Sequence, residues 1–192
     1  MTTWIALLRG INVGGRNILP MEMLKSQLES LKLKNVRTYI QSGNFLFDST
    51  GKTASSLAKK IGEEIERHHG FRPQLVILDC KTFQAVVRSN PFPMAVSDPK
   101  SLHFFFLAEP ATDPDTSALD KIKAPTESFS LTDRVFYLHA PDGIGRSKLA
   151  ANAEKHLGVA TTARNYRTVE QLLSMSLQVD FGEETTSTLR HR

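Results

Sequence analysis

Apolar positions along the chain follow two periods, and the change from one to the other marks out the elements. Trp4-Ile5-Ala6-Leu7-Leu8 is apolar at every position and predicts a buried strand over 3–9. Gly10 to Leu19 reads as a loop, and Pro20 suits the first turn of a helix that carries Met21, Leu24, Leu28 and Leu31 on one stripe. Val36–Gln41 and Phe45–Asp48 are strand-like and joined by the turn triplet Ser42-Gly43-Asn44, which predicts a hairpin. Leu57, Ile61 and Ile65 form a second helical stripe closed by Gly70, and Leu75–Leu78 is a further apolar strand.

That order, β-α-β-β-α-β, is the ferredoxin-like unit, and the second half of the chain repeats it. Leu102–Ala108 reads as a strand, and Asp113-Pro114 opens a helix through Leu119 and Ile122 that Pro125 ends. Ser128–Leu131 and Val135–His139 make a hairpin around Thr132-Asp133. Ala150, Ala153 and Leu157 line a helix closed by Gly158, and Val159–Thr162 is a short last strand. A helix near Thr82–Arg88 and the loop Asn90-Pro91-Phe92-Pro93 lie between the halves, and a final helix carries Val169, Leu172 and Leu173. The expected fold class is α+β, with two ferredoxin-like (βαββαβ) repeats packed as one body plus a C-terminal helix. The expected boundaries are 1–79 and 101–163 for the repeats, 80–100 for the connector, 164–177 for the helix and 178–192 for a polar tail. A lone unit of this kind leaves one sheet face open, yet the first strand and Leu102-His103-Phe104-Phe105-Phe106-Leu107 are apolar at both phases. Each open face is therefore expected to be covered by the other half. Phe45 and Phe47 have the spacing of an aromatic stacking platform for bases, but core packing accounts for them more simply.

Composition narrows the function classes. The 192 residues include a single cysteine, Cys80, which excludes a disulfide framework and a multi-cysteine zinc site. The apolar run at the start stops at Arg9 with no basic stretch before it, so a secretory signal is not expected. No run approaches the roughly 18 apolar residues that span a bilayer. The expectation is a soluble cytoplasmic protein without membrane contact. Net charge is only +4, but residues 1–97 hold 13 basic against 7 acidic residues and residues 98–192 hold 11 against 13. Within the second half, 98–142 is acidic, whereas 143–167 sets Arg146, Lys148, Lys155, Arg164 and Arg167 against Glu154 alone. Such an asymmetry suits an anionic partner, either a phosphorylated metabolite or nucleic acid; two solvated basic faces would give the same counts.

Three segments carry candidate chemistry. Arg9-Gly10-Ile11-Asn12-Val13-Gly14-Gly15-Arg16-Asn17 has the glycine spacing of a phosphate-binding P-loop. Arg16 stands where that motif needs Lys, and Asn17 replaces the hydroxyl that binds magnesium, so nucleotide triphosphate hydrolysis is excluded. A more general anion site remains, built from backbone N–H groups and the Arg9 guanidinium. A tight connection needing positive φ at Gly14 or Gly15 would also explain the glycines. The second segment is Tyr39-Ile40-Gln41-Ser42-Gly43-Asn44, where polar groups suit a turn. In this topology its turn lies beside the exit of the first strand and Arg9. The third is Ala163-Arg164-Asn165-Tyr166-Arg167-Thr168-Val169, in which Asn165 suits a helix N-cap but neither arginine is explained by capping. Gly143-Ile144-Gly145-Arg146-Ser147-Lys148 is a weaker helix start of the same kind, or a loop whose charges complement Asp142 and Glu154. The six histidines show no metal-ligand spacing, and neither a nucleophile, a general base nor a cofactor site can be named. Cys80 precedes a helix and reads best as a small buried side chain.

Together, Leu7–Gly15, Tyr39–Phe45 and Ala163–Val169 resemble a bacterial family known as domain of unknown function 1697, over about residues 3–176. Where that family has an Arg-Asn-Trp-Asn-Thr-Val-like segment, this chain has Tyr166 for the ring and Arg167 for a neutral residue. The resemblance implies a tandem ferredoxin-like α/β fold and supplies no activity. The leading expectation is a small anionic or nucleotide-like ligand held by Arg9, Asn12, Gly14, Gly15, Gln41, Ser42 and Asn44, with Arg164 and Asn165 closing the site. Nucleic-acid binding, an enzyme of unassigned chemistry at the same loop, and a purely structural use of all three motifs are the alternatives.

Overall fold

A computed structural model describes residues 1–50 and 53–178; of the expected polar tail, all but Gln178 lies outside the described residues. Each half runs through the same succession of elements. The first comprises β1 (Thr2–Leu8), α1 (Met21–Ser30), β2 (Lys34–Tyr39), β3 (Asn44–Ser49), α2 (Ala54–His69), β4 (Leu75–Asp79) and α3 (Cys80–Arg88). The second comprises β5 (Leu102–Leu107), α4 (Thr116–Ile122), β6 (Ser128–Leu131), β7 (Val135–His139), α5 (Lys148–Leu157), β8 (Thr161–Asn165) and α6 (Tyr166–Leu177). The described residues form a mixed α+β fold with two four-stranded antiparallel sheets and six α-helices. Strand order is β2-β3-β1-β4 in one sheet and β6-β7-β5-β8 in the other.

Local chemistry sets the helix boundaries. Thr53 caps α2 by accepting from the Ser56 N–H while Ser56 reaches back, and Gly70 ends the helix at φ 72°. Ser147 caps α5 by accepting from the Ala150 N–H, and Gly158 ends it at φ 69°. Asp115 accepts from the Ala118 N–H, so α4 starts just after the expected Asp113-Pro114. The last strand departs more from expectation. It runs to Asn165, because Phe104 and His103 of β5 pair with Arg164 and Asn165. Arg164 is therefore a strand residue rather than the first residue of the C-terminal helix. Val159 lies just before the strand and packs into the outer core of the second half.

Alternation on the central strands sorts the core into layers. Trp4, Ala6 and Leu8 face α1 and α2 together with Phe45 and Phe47, both fully buried, so these rings are core and not an exposed platform. Phe105, Leu107, Phe136 and Leu138 face α4 and α5. Between the sheets, Ile5, Leu7, Phe104, Phe106 and Tyr137 meet Phe83, Val86 and Val87 of α3 and Val169 and Leu172 of α6. Both inner sheet faces are thus covered by α3 and α6 as well as by the opposite half. Phe83 stacks on Phe106 at 5.8 Å, and the Tyr137 hydroxyl donates to the Val86 carbonyl at 2.8 Å. The connector helix and the C-terminal helix occupy the same place in their halves. Asp79 caps α3 through the Thr82 N–H, and Asn165 caps α6 through the Thr168 N–H.

Candidate functional site

The hairpin between β2 and β3 is built around Gly43. Its φ is 75°, its carbonyl accepts from the Leu8 N–H at 2.8 Å, and a Cβ there would lie 2.6 Å from that of Leu8. Only glycine fits so close to the end of β1. Asn44, next along, is fully buried, and its amide donates to the Tyr39 carbonyl and the Ser42 hydroxyl. Its side-chain oxygen is left to accept from the Arg164 Nε.

Arg164 arrives from the opposite half. Its Nη2 donates to the carbonyls of Leu8 at 2.7 Å and Ser42 at 2.9 Å, and its Nη1 donates to the Ala163 carbonyl at 2.8 Å. Every one of these acceptors is neutral, and among the described residues no carboxylate lies within ion-pair distance of this cation. Burial pushes its pKa down to about 10. Asn165, by contrast, is occupied with the α6 cap.

Arg9 follows β1 directly. Its Nη1 donates to Gln74 at 3.0 Å and its Nη2 to Glu154 Oε2 at 2.7 Å, with the two side chains 41% and 35% exposed. Glu154 is held in turn by the Thr161 N–H at 2.6 Å and the Thr161 hydroxyl. Its partner is therefore Arg9 and not the charges of the 143–148 loop. A cleft of about 370 Å³ opens between the halves, lined by Arg9, Gly10, Phe105, Ala150, Ala151, Glu154 and the run Thr161 to Arg164.

The remaining residues of the glycine-rich segment lie elsewhere. Gly14 and Gly15, at φ 57° and 72°, are the centre of a two-residue turn closed by the Arg16 N–H on the Val13 carbonyl at 3.0 Å. Two positive φ values in succession make it the primed turn that suits a hairpin. The tip is exposed and contributes nothing to the cleft lining. Asn12 braces this loop, donating to the carbonyls of Leu19 and Gln41 and accepting from the Leu19 N–H. Gln41 enters through its backbone. Ser42, Asn44 and Arg164 thus form one hydrogen-bonded group, Arg9 shares only the cleft lining with Arg164, Asn12 and Gln41 adjoin the hairpin, and Gly14, Gly15 and Asn165 stand apart.

Elsewhere, Arg37 donates to the Met175 carbonyl, while its Nε and Nη2, the Trp4 Nε1 and the His103 Nδ1 are buried without a hydrogen-bond partner among the described residues. His68 meets Glu64 at 3.0 Å and His69 meets Gln27 at 3.1 Å. His103 is buried in β5, where desolvation lowers its pKa. Cys80 is half-buried at the start of α3 and accepts from Gln84. Among the described residues, no cluster of three potential metal ligands occurs and no helix is long and apolar enough to cross a membrane.

The repeated architecture provides an internal comparison that sequence reading missed. The Arg9 N–H donates to the Gln74 carbonyl as the Ala108 N–H donates to that of Ala160, and the Leu8 N–H donates to Gly43 as the Leu107 N–H donates to Arg134. These bonds place Ala108 where Arg9 stands, Leu78 where Arg164 stands and Val135 where Asn44 stands. A second cleft of about 320 Å³ occupies the equivalent position, lined by Leu75 to Leu78, Ala54, Ser55, Ala58, Leu107, Ala108 and Arg134. There Leu78 of β4 and Val135 of β7 are both buried in the central core. The fold accepts an apolar pair where the first cleft holds Arg164 and Asn44.

A family model described as protein of unknown function (DUF1697) matches residues 1–137. Among solved structures, a conserved bacterial protein from Streptococcus pneumoniae superposes with a TM-score of 0.71 at 23% identity, covering 91% of this chain and 98% of that one. That likeness concerns the fold. No curated protein matches the chain.

Proposed function

The chain belongs to the DUF1697 family of proteins of unknown function, and from that premise we propose that it is a cytoplasmic binding protein that holds a small anionic ligand in the cleft between its halves. The order β2-β3-β1-β4, repeated as β6-β7-β5-β8, supports reading those halves as ferredoxin-like repeats. The observation that carries the functional reading is the Arg164 cation, buried against neutral acceptors and lining the cleft with no counter-charge of its own among the described residues. Burying a charge is costly unless it is paired, and an apolar pair at the same place is the cheaper solution. The equivalent position at the second cleft uses that solution, with Leu78 of β4 and Val135 of β7. Arg164 is retained in the first cleft although the architecture does not require it.

Arg9 and Arg164 together against Glu154 leave one positive charge in the cleft. Its volume falls at the lower end of the roughly 300–1,000 Å³ typical of small-molecule sites. Glu154 is anchored on Thr161, so Arg9 is the partner free to turn towards an incoming anion. An exposed pair of this kind contributes little to stability, about 0–1 kcal/mol, so Arg9→Ala is a clean test. Thermal shifts against a panel of carboxylates, phosphometabolites and nucleotides should show at least one ligand that stabilises wild type, with the shift lost in Arg9→Ala. Unchanged melting across the panel in both proteins refutes the reading. Salt-sensitive binding of RNA or DNA that Arg9→Ala leaves intact would favour the nucleic-acid alternative instead.

A further inference from the structure

We propose that the ligand of this cleft is an N-acylated amino acid or a peptide C-terminus, its amide laid along the free edge of β8 and its carboxylate set beside Arg164. This inference rests on the anion-site reading above and adds the chemical class. It comes from the hydrogen-bond parity of β8. The Ala108 N–H donates to the Ala160 carbonyl at 2.9 Å, which makes Ala108 and Ala160 a bonded pair. In an antiparallel ladder, bonded and non-bonded pairs alternate. Thr162 and Arg164 therefore bond to β5, while Thr161 and Ala163 turn their N–H and C=O groups away from it.

Two side-chain contacts agree with this parity. The outward Thr161 N–H donates to Glu154 and the outward Ala163 carbonyl accepts from Arg164. What remains on the free edge is the Thr161 carbonyl and the Ala163 N–H, two residues apart and both on residues that line the cleft. A carbonyl at one position and an N–H two positions further on bind both polar groups of a single residue on an added parallel strand. When that residue is the last of its chain, its amide N–H donates to the Thr161 carbonyl and its carboxylate accepts from the Ala163 N–H. The carboxylate then lies at the end of the strand where Arg164 sits, whose Nη1 makes one bond of the two it can donate. Charge supports the same class, because a monoanion neutralises the single net positive charge of the cleft whereas a phosphate dianion overshoots it. The equivalent edge of β4 has Leu78 in place of Arg164, so it offers the backbone pattern without a cation at that position, although Arg134 lines the same cleft.

The test uses N-acetylglycine as the minimal probe, with acetate, N-acetylglycinamide, inorganic phosphate and AMP beside it, titrated into the full chain by calorimetry and amide-resolved NMR. N-acetylglycine should bind at least tenfold more tightly than acetate or N-acetylglycinamide, should move the Ala163 amide resonance, and should lose at least tenfold in affinity in Arg9→Ala. Binding of phosphate or AMP in an Arg9-dependent way, with N-acetylglycine no better than acetate, overturns the ligand class and leaves the anion site standing. Absence of binding by every probe overturns both.

Discussion

Replacing Arg164 and Asn44 by the residue types of their counterparts at the second cleft, Leu78 and Val135, separates architecture from function. Arg164→Leu removes the guanidinium from the Asn44 oxygen and from the carbonyls of Leu8 and Ser42. Asn44 is fully buried and Leu8 is 1% exposed, so two acceptors lose their partners out of reach of water. Each such orphan costs about 1–3 kcal/mol. Against that, the fall of the guanidinium pKa to about 10 represents a desolvation cost of about 3 kcal/mol, at roughly 1.4 kcal/mol per decade, which leucine does not incur. Two orphans at about 2–6 kcal/mol together, less about 3 kcal/mol, leave the single variant between about 1 kcal/mol more stable and about 3 kcal/mol less stable than wild type. Adding Asn44→Val removes one orphan and restores the Leu78–Val135 type of pair, which should return about 1–3 kcal/mol. Urea unfolding of wild type, both single variants and the double variant gives the coupling between the two positions, provided the slope against urea stays constant. A coupling below about 0.5 kcal/mol would refute the claim that Arg164 and Asn44 form an exchangeable polar pair. The double variant should also lose the anion response, since its stability is restored without its charge.

Other outcomes follow from single sites. Gly43→Ala forces a Cβ to within 2.6 Å of Leu8 and 2.9 Å of Ile11 at φ 75°; calorimetry should show a loss of about 2–4 kcal/mol, or roughly 5–15 °C in Tm. Gly14→Asn meets nothing within 4 Å and suits the primed turn; its stability should stay within about 0.5 kcal/mol of wild type and its ligand response should be unchanged. Burial lowers the pKa of His103 below its ordinary 6.5, so the unfolded chain binds the proton more readily. Stability is then full above pH 6.5 and declines as pH falls from 6.5 towards the folded-state value. His103→Phe should flatten that part of the stability profile measured by urea unfolding at successive pH values. Glu64 behaves in the same sense lower down. The Arg67 hydrogen bond holds its carboxyl below the usual 4.5, so its contribution is present above pH 4.5 and fades as pH falls through the folded-state value.

Much of the architecture was legible in the sequence because period and punctuation are local. The apolar run Ile5–Leu8, the helical stripe Leu57-Ile61-Ile65 and the stops at Gly70 and Gly158 lie where their neighbours in sequence dictate. The duplication was legible for the same reason. One boundary and one equivalence were not. Arg164 and Asn165 belong to β8 because β5 supplies partners for them, and a ladder partner some sixty residues away leaves no mark in a local window. The equivalence of α3 and α6 escaped notice because one follows as a connector and the other as a terminus. Only their shared place between the sheets and their matching caps reveal it.

The candidate site divides along the same line. Sequence alone marked Arg9, Gly14, Gly15, Ser42, Asn44 and Arg164 as candidates, assigned Ser42-Gly43-Asn44 to a hairpin turn, and left a tight turn as the other explanation of the Gly14-Gly15 pair. Tertiary structure decided which of them meet. Arg164 crosses from one half to bond the other at Leu8, Ser42 and Asn44, whereas Gly14 and Gly15 swing out on a hairpin although they are close to Arg9 in sequence. Residue type and spacing fix what a segment can do locally. Whether two basic segments some 155 residues apart share one cleft depends on how two sheets pack through α3 and α6, a property of the whole core and not of either segment.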